Sequence, residues 1–552
     1  MHDPLTRAAI LAGTDKFGTH DYTPNYHRLF ADRLDAPLRI LEIGVGGYGD
    51  DDRGGQSLAV WRDCFPNARV TGIDIQKKTM DLGPRVEIRQ GSQVDADFLK
   101  TLVAERGPFD IIVDDGSHRN EHIVETFGLL FPDLAPGGIY VAEDVQTSFH
   151  PRFGGSLEMT APNAVGHFGA LFAAMGHADA PAGIAAMERF HNMIAVHKTG
   201  GAPRDLLAGA LARAEGRVHL VGGADLPGGQ AAASRGDWEA PVPEGTALVV
   251  AEAPETETKA LVESLFSRLA QGTVLALTGP GAQAIARDRF TLVDHVEIAV
   301  HYPQAPIDAL APQVLALAGD GRVLLLEKGD NTYPSNFAFD AAHPRAAAAL
   351  DLMGEVLADP EAENGGLLQY AALRLRHGPR AAAMPVLDRL TERDCEAREY
   401  FQLAGSLAQR ERRLPQARAL FARALDVFPG DPQFSTMLAG ATNALGAPEE
   451  AEAILRETLA RHPRARGAAS MLINLLIRRE AYAEAATRIA ATITLFPQGQ
   501  RPERHLLLAA VHRKMGDAAA MEDSIATAKA AGIDLDTLQA RLDRLMLQDV
   551  AA

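Results

Sequence analysis

The chain has 552 residues, so more than one domain is expected. Its 54 Lys and Arg residues are outnumbered by 72 Asp and Glu residues, and the formal net charge of −18 argues against nucleic acids and anionic membranes as partners. The two cysteines, Cys64 and Cys395, are too few for a disulfide framework or a thiolate metal site. Without a basic and apolar leader or an apolar stretch of membrane-spanning length, the sequence predicts a soluble, cytoplasmic protein.

Residues 1–200 alternate between short apolar runs, which are typical of strands, and longer amphipathic runs, which are typical of helices. This alternation predicts a doubly wound α/β sheet. Helices are expected over Asp97–Ala104 and Glu121–Leu130, and a late strand over Met193–His197. The other expected strands are Leu38–Ile43, Arg69–Ile73, Val86–Arg89, Asp110–Val113 and Ile139–Ala142.

Residues 201–345 have the pattern of a second α/β unit. The segment Ala247–Thr278 echoes Asp110–Asp144, but the acidic run of the first segment is replaced by Ala251–Glu255, so a duplicated copy would have lost its chemistry. A true duplication and an unrelated second unit both remain open. The expected strands are Val218–Val221, Ala247–Ala251, Thr273–Leu277, Val296–His301 and Val323–Glu327.

Residues 346–535 are rich in Ala, Leu and Arg, and their pattern is almost entirely helical. The region has a 34-residue period that resembles tetratricopeptide repeats, with a proline at each repeat end and an alanine at each helix crossing. Such repeats form a groove for peptide or protein partners. A terminal capping helix is expected over Asp534–Val550. The periodic positions are Pro429, Pro463 and Pro497; Ala417, Ala451, Ala485 and Ala519; and Leu438, Leu472 and Leu506.

Acidic residues follow two of the expected strands in the first region. Asp114 and Asp115 end one strand, Glu143 and Asp144 end the next, and His118 follows Asp115 by three residues. Because the carboxyl ends of neighbouring parallel strands line one crevice, these groups predict a Mg²⁺ site with a base beside it. The alternative is that the Asp pair caps the next helix and that His118 is a surface residue.

A glycine-rich loop follows the first strand. Gly44 and Gly46 allow the backbone to approach a ligand closely, and Asp74 at the end of the next strand suits ribose hydroxyls. Glu42 just before the glycines would repel a pyrophosphate but suits the ammonium group of S-adenosylmethionine. An ordinary tight turn and a helix cap at Asp74 are the alternatives.

Taken together, these residues resemble class I S-adenosylmethionine-dependent O-methyltransferases, and especially the metal-dependent macrolide and antibiotic sugar O-methyltransferases. The resemblance covers about residues 13–200. Lys16, His20 and Tyr22 precede the first strand, where either a lid over the cofactor or a surface helix is expected. The matching segments are Gly13–Lys16, His20, Tyr22, Tyr26, Glu42–Tyr48, Gly54–Leu58, Asp74, Gln90–Gln93, Asp114–His118 and Glu143–Asp144.

The resemblance implies a Rossmann-like methyltransferase fold with S-adenosylmethionine and Mg²⁺ as cofactors. It places His118 as the general base, where the related catechol methyltransferases have Lys. It implies metal contacts from Asp115, Glu143 and Asp144. It implies cofactor contacts from Glu42, Gly44, Gly46, Tyr48, Ser57, Asp74, Gln93 and Asp114, with Gln93 near the adenine.

The expected chemistry is consistent with this set of residues. A sugar hydroxyl does not ionise at neutral pH, so a cation that touches it and a histidine that takes its proton would both assist attack on a methylsulfonium. A vicinal diol could chelate the open metal positions and orient the attacking oxygen. The expected acceptor is therefore a sugar-bearing molecule: a glycan, a glycosylated natural product or a glycosylated protein.

Three alternatives remain at this point. His118 and His122 also fit the H-x-x-E-H zinc pattern, which requires both on one helix. The chain could instead be an interaction scaffold whose Rossmann unit binds cofactor without turnover, or a relative of the cephalosporin hydroxylases. The prediction adopted here is a three-domain methyltransferase: a methyltransferase domain at 1–200, a degenerate α/β module at 201–345 and a tetratricopeptide-repeat domain at 346–552. The resemblance also suggests a homo-oligomer, and the repeats suggest a protein partner.

Overall fold

The structure is a computed structural model, and it describes residues 3–159, 162–175, 182–201, 205–226, 234–332, 342–360, 362–378 and 380–530. The chain divides into two compact units, Met1–Ala383 and Met384–Ala552. Among the described residues, no helix is both long enough and apolar enough to cross a membrane. The capping helix expected over Asp534–Val550 lies outside the described residues.

A single 13-stranded sheet organises the first unit, in the order β3-β2-β1-β4-β5-β7-β6-β12-β13-β11-β10-β8-β9. Strands β1 to β5 run parallel to one another, β7 pairs antiparallel with β5, and β6 pairs antiparallel with β7. The strands are β1 Arg39–Ile43, β2 Arg69–Asp74, β3 Val86–Gln90, β4 Ile111–Asp114, β5 Ile139–Glu143, β6 Ile184–Phe190, β7 Met193–Lys198, β8 Arg217–Val221, β9 Ser234–Gly236, β10 Thr246–Glu252, β11 Val274–Thr278, β12 Val314–Gly319 and β13 Leu324–Lys328.

The second half of the sheet repeats the strand arrangement of the first. The order β8-β10-β11-β13-β12 has the same directions as β1-β4-β5-β7-β6, with β13 and β12 antiparallel. The edge strands β6 and β12 pair antiparallel, with Phe190 opposite Ala316 and Met187 opposite Gly319. Such a repeated order is what a duplication would produce, and the echo of Asp110–Asp144 in Ala247–Thr278 falls on the corresponding strands.

One expected strand of the second half is wrong. Val296–His301 alternates apolar and polar residues, yet it forms a helix, His295–His301, and the strand of that region is Val314–Gly319. The buried positions include His295 and Ile298, a helical spacing, while Val300 is 39% exposed. Tertiary packing, rather than the local alternation of apolar and polar residues, therefore determines that this segment is helical.

Helices cover the sheet, and alternate strand residues enter opposite cores. Val249 and Ala251 join one buried cluster, whereas Leu248 and Val250 join another, as expected for a strand that is covered on both faces. The helices of this unit are α1 Pro4–Ala12, α2 Thr23–Phe30, α3 Gln56–Cys64, α4 Ala96–Arg106, α5 Asn120–Leu130, α6 Ala164–Ala174, α7 Leu206–Arg213, α8 Thr258–Ser267, α9 Gly281–Leu292, α10 His295–His301, α11 Pro344–Leu357 and α12 Asn364–His377.

The second unit consists of stacked helix pairs. Ala417, Ala451 and Ala485 are fully buried at equivalent points of α15, α17 and α19, which explains why the 34-residue period keeps a small side chain there. The helices are α13 Met384–Glu392, α14 Arg398–Arg410, α15 Leu414–Val427, α16 Pro432–Ala444, α17 Pro448–Arg461, α18 Arg466–Arg478, α19 Tyr482–Thr492, α20 Arg501–Met515 and α21 Ala518–Ala530.

Candidate active site

The carboxyl ends of β1, β2 and β4 open into a cavity of about 670 Å³. Strands β2 and β4 flank β1 on opposite sides, so the strand order reverses here, at the usual ligand position of an α/β sheet. Three predicted site residues, Glu42, Asp114 and Glu143, are buried and do not line the cavity. The predicted residues that do line it are Gly44, Gly46, Tyr48, Ser57, Asp74, Gln93, Asp115, His118 and Asp144.

The glycine loop forms one wall of the cavity. Gly44 has φ +92°, and a Cβ there would lie 2.1 Å from the carbonyl oxygen of Asp115. The amide of Val45 donates to Asp74 at 3.0 Å, and the amide of Gln76 donates to the other carboxylate oxygen of Asp74 at 2.8 Å. These hydrogen bonds hold the glycine loop against the end of β2. The side chain of Tyr48 in the same loop is 88% exposed.

A buried lysine lies among three carboxylates. The Nζ of Lys16 is 2.8 Å from Asp115, 2.6 Å from Glu143 and 3.4 Å from Glu42. Burial by itself would lower the pKa of Lys16, but the carboxylates outweigh it and raise that pKa well above its ordinary value. The sequence placed Lys16 only in a lid or surface helix, and a contact between residues 99 positions apart left no local signal.

Glu42 and Glu143 are part of this buried network. The indole of Trp61 donates to Glu42 at 2.7 Å, and Ser57 also hydrogen-bonds that carboxylate. The hydroxyl of Tyr26 donates to the Glu143 oxygen that Lys16 does not contact. Of the predicted metal ligands, Glu143 is therefore occupied by a lysine and a tyrosine, and its metal contact stays a prediction.

Asp115, His118 and Asp144 face the cavity together. They offer one ligand atom each, all within 4.8 Å of one another, and the Nε2 of His118 is 3.6 Å from Asp144. His118 and Asp144 have φ of +55° and +53°, a left-handed backbone that non-glycine residues rarely adopt and that clusters at functional sites. The structure thus brings the predicted base beside two of the three predicted metal ligands.

The surroundings of Asp144 favour its charged form. Burial would raise the pKa of Asp144, but His20, His118 and a hydrogen bond from Tyr22 outweigh burial and lower it. The hydroxyl of Tyr22 donates to Asp144 at 2.5 Å, and the Nδ1 of His20 is 3.6 Å away. An ionised carboxylate at this place suits a divalent cation.

Asp114 and Gln93 are held by each other rather than left free. The amide of Gln93 donates to Asp114 at 3.1 Å, and the hydroxyl of Tyr140 donates to the same carboxylate at 2.7 Å. Burial raises the pKa of Asp114 to about 6. The carbonyl oxygen of the Gln93 side chain accepts from the amide of Ser117 at 2.8 Å, which fixes the turn before His118.

The zinc alternative does not fit this geometry. Helix α5 begins at Asn120, so His118 precedes it while His122 lies on it. The Nδ1 of His122 is 2.8 Å from the hydroxyl of Ser117. The two histidines therefore do not share one helical face, as the H-x-x-E-H pattern requires.

Helix α12 supplies a wall of the cavity that the sequence did not indicate. Gln369, Ala372, Leu373 and Arg376 line it with a helical spacing. The amide of Gln369 donates to the carbonyl oxygen of Thr14 at 2.7 Å and thereby ties α12 to the segment that carries Lys16. From the sequence, these residues were expected in the repeat domain, so their part in the cavity was not predicted.

Comparison with known proteins gives two separate similarities. Residues 408–476 match the tetratricopeptide repeat family model. The chain is 42% identical over 177 residues to the 8-demethyl-8-alpha-L-rhamnosyl tetracenomycin-C 2'-O-methyltransferase of Streptomyces olivaceus, covering 32% of this chain and 47% of that protein. It is 38% identical over 208 residues to the mycinamicin VI 2''-O-methyltransferase of Micromonospora griseorubida, covering 34% of this chain and 52% of that protein.

Among solved structures, the chain is similar to the MycE methyltransferase in complex with Mg, SAH and mycinamycin VI, at 38% identity with a TM-score of 0.34. That similarity covers 37% of this chain and 57% of the other. The chain spans about half the length of the curated relatives it matches. The resemblance to sugar O-methyltransferases and the fold class, a methyltransferase-like α/β unit with a helical repeat region, are confirmed.

Proposed function

We propose that the first unit transfers a methyl group from S-adenosylmethionine to a hydroxyl of a sugar-bearing acceptor, with Mg²⁺ bound beside the acceptor. The observation that carries this proposal is the cluster of Asp115, His118 and Asp144, which faces the same cavity as the glycine loop and Asp74. The relatives are a rhamnosyl tetracenomycin-C 2'-O-methyltransferase and a mycinamicin VI 2''-O-methyltransferase, which supports the same assignment.

The residues present fit the proposed metal. Asp115 and Asp144 are partly exposed toward the cavity, with side-chain exposures of 24% and 17%, and carboxylate oxygens are the ligands that Mg²⁺ prefers. When bound, the cation would supply positive charge that stabilises the developing alkoxide of the acceptor. Glu143 is proposed as the third ligand, with Lys16 compensating its charge in the buried network.

His118 is proposed as the general base. Its imidazole faces the cavity, and Asp144 at 3.6 Å stabilises the imidazolium that forms when the ring takes the acceptor proton. The backbone at His118 is left-handed, and the side chain of Gln93 accepts a hydrogen bond from the amide of the preceding residue, Ser117, at 2.8 Å.

The cofactor is proposed to lie along the glycine loop. Gly44 and Gly46 line the cavity, and Asp74 would accept hydrogen bonds from the ribose. Glu42 is buried and paired with Lys16. Its influence on the ammonium group of S-adenosylmethionine would therefore act through the charge of the buried Lys16 network rather than by direct contact.

Methyl transfer can be tested directly with labelled cofactor. The full chain is incubated with S-adenosylmethionine carrying an isotopic methyl group, Mg²⁺ and a panel of rhamnosides and other glycosides with vicinal hydroxyls. The proposal expects label in a glycoside, lost with EDTA and reduced about 10²–10⁴-fold in His118→Ala. Cofactor binding without transfer to any glycoside would favour a binding or hydroxylase-like role instead.

We also propose that the second unit binds a protein or glycoprotein that presents the acceptor, because the matched repeats belong to a class that forms binding grooves. A homo-oligomer remains a prediction from the resemblance, and light scattering of the full chain tests it. A monomer at micromolar concentration would contradict that part of the account.

A further inference from the structure

The turn between β6 and β7 holds one of the proposed metal carboxylates. Asn192 in this turn is 1% exposed and has φ +59°. Its side-chain NH₂ group donates to Asp144 at 3.0 Å and to the hydroxyl of Tyr22. Its side-chain carbonyl oxygen accepts from the backbone amide of Gln146 at 2.8 Å. Both hydrogens and the oxygen of this side chain are therefore used to fix Asp144 and the turn that follows it.

The second half of the sheet holds this turn in place. Asp294, between α9 and α10, is fully buried, and one of its oxygens accepts from the backbone amide of Asn192 at 2.8 Å. Its other oxygen accepts from the guanidinium of Arg189, which is also fully buried. Arg189 donates in addition to the carbonyl oxygens of Phe190 at 2.6 Å and Met193 at 3.2 Å, on both sides of the turn.

We propose that Asp294 is a positioning residue for the metal site, and that the second α/β half retains this task although it lacks the acidic run of the first. Asp294 orients Asn192, and Asn192 orients Asp144. The inference rests on the proposed function, because it assigns these residues to the Mg²⁺ site of the methyltransferase. Outer hydrogen bonds of this kind fix metal-binding carboxylates, and their loss typically weakens metal affinity 10–100-fold.

Stability alone does not account for this arrangement. The pairing of β6 with β12 already joins the two halves, with Arg189 opposite Leu317. A buried ion pair is weak support for stability, because apolar side chains of similar size often serve as well. The Arg189–Asp294 pair instead hydrogen-bonds the backbone of the β6–β7 turn, and Asn192 in that turn contacts Asp144.

The test uses the full chain and measures metal affinity apart from turnover. Mn²⁺, whose free form is read by electron paramagnetic resonance, is titrated into the wild type, Asp294→Asn and Asn192→Gly, all saturated with S-adenosylhomocysteine. Glycine keeps the left-handed turn of Asn192 and removes its side-chain hydrogen bonds to Asp144, Tyr22 and Gln146. We expect a 10–100-fold loss of Mn²⁺ affinity in both variants, with S-adenosylhomocysteine affinity within threefold of the wild type.

Asp308→Asn is the matched control. Asp308 pairs with Arg289 at 2.8 Å in the same half of the sheet, and among the described residues its side-chain hydrogen bonds and ion pairs join it to Arg289, Leu310 and Lys259 rather than to the turn at Asn192. It should lose stability without losing Mn²⁺ affinity. The double variant Asp294→Asn with Asn192→Gly should bind Mn²⁺ no more weakly than Asn192→Gly alone, because Asp294 acts on Asp144 only through Asn192.

The outcomes separate this inference from the proposed function. Wild-type Mn²⁺ affinity that Asp294→Asn and Asn192→Gly leave unchanged would overturn the positioning role alone. A wild type that binds no Mn²⁺ would overturn the metal-dependent function and this inference with it. If Asp294→Asn does not fold, Asn192→Gly still tests the path, because it leaves the buried ion pair intact, and unchanged Mn²⁺ affinity in that variant would overturn the proposal.

Discussion

At the scale of single residues, the site depends on glycine conformation and on compensation of buried charge. Gly44 approaches the backbone of Asp115 so closely that no side chain fits, and Lys16 neutralises carboxylates that could not otherwise be buried together. Both features can be tested with matched substitutions.

Substitution of Gly44 by alanine should weaken cofactor binding strongly. Its positive φ and the 2.1 Å approach of the added Cβ to the carbonyl oxygen of Asp115 would force the loop to shift away from Asp115. We expect S-adenosylhomocysteine affinity, measured by calorimetry, to fall at least about 100-fold, equivalent to about 2.7 kcal/mol. Gly49→Ala is the control, because an added Cβ there meets only Gln76, at 3.7 Å. Equal affinity of the two variants would contradict the account.

Substitution of Lys16 by methionine should destabilise the chain strongly. The change leaves Glu42 and Glu143 buried without their cation, which typically costs about 3–5 kcal/mol. The double variant Lys16→Met with Glu143→Gln should recover a large part of this loss, because it removes one of the unpaired charges. Denaturant unfolding measures both, and strictly additive losses would rule out the proposed coupling.

At the scale of elements, turns and helix crossings set the geometry. The turn at His191 and Asn192 joins β6 and β7, and the alanine positions of α15, α17 and α19 set the spacing of the repeats. Each of these elements gives a measurable consequence.

The β6–β7 turn predicts a pH dependence of stability. Burial lowers the pKa of His191 to about 4, below its ordinary value of 6.5. The unfolded chain therefore binds more protons than the folded chain between about pH 4 and 6.5, so stability is lost as pH falls through that window. His191→Gln should reduce this pH dependence, so that the loss of unfolding free energy between pH 7 and pH 4.5 is about 2 kcal/mol smaller than in the wild type. Urea unfolding at pH 7 and pH 4.5 measures this change, and the same pH dependence of the unfolding free energy in the wild type and His191→Gln would contradict the prediction.

The repeat crossings predict a local effect of overpacking. Ala451 is fully buried, so leucine there should destabilise its part of the repeat unit by about 1–3 kcal/mol. Ala453 on the same helix is exposed and should accept leucine without cost. Hydrogen exchange of α16–α18 reads this effect separately from the first unit, and faster exchange should occur only in Ala451→Leu.

The sequence indicated the elements better than the contacts among them. Strand-end acids were predictable because parallel strands place their carboxyl ends together, and His118 follows from the same pattern. The contacts of Lys16 with Asp115 and of Asn192 with Asp294 join positions 99 and 102 residues apart, which no local pattern encodes. The helix at His295–His301 was missed because its apolar alternation fits a strand, while burial selects another face.

At the scale of the whole molecule, two α/β halves share one sheet. Because β6 pairs with β12, the first half has no free edge at that side, and a chain that stops at about residue 205 would expose β6. We expect a 1–205 fragment to self-associate, and a chain that ends at Ala383 and keeps the whole sheet to unfold cooperatively. Size-exclusion chromatography and circular dichroism check this, and a monomeric, cooperative short fragment would contradict it.

The most direct test of the central claim is a calorimetric titration of Mg²⁺ into the full chain saturated with S-adenosylmethionine, in wild type and Asp115→Ala, with exposed Asp133→Asn as control. The account predicts Mg²⁺ binding in wild type and control, loss of that signal in Asp115→Ala, and no signal with EDTA. No Mg²⁺ binding by the wild type, or equal binding by Asp115→Ala, would contradict a metal-dependent methyltransferase site at the carboxyl ends of β4 and β5.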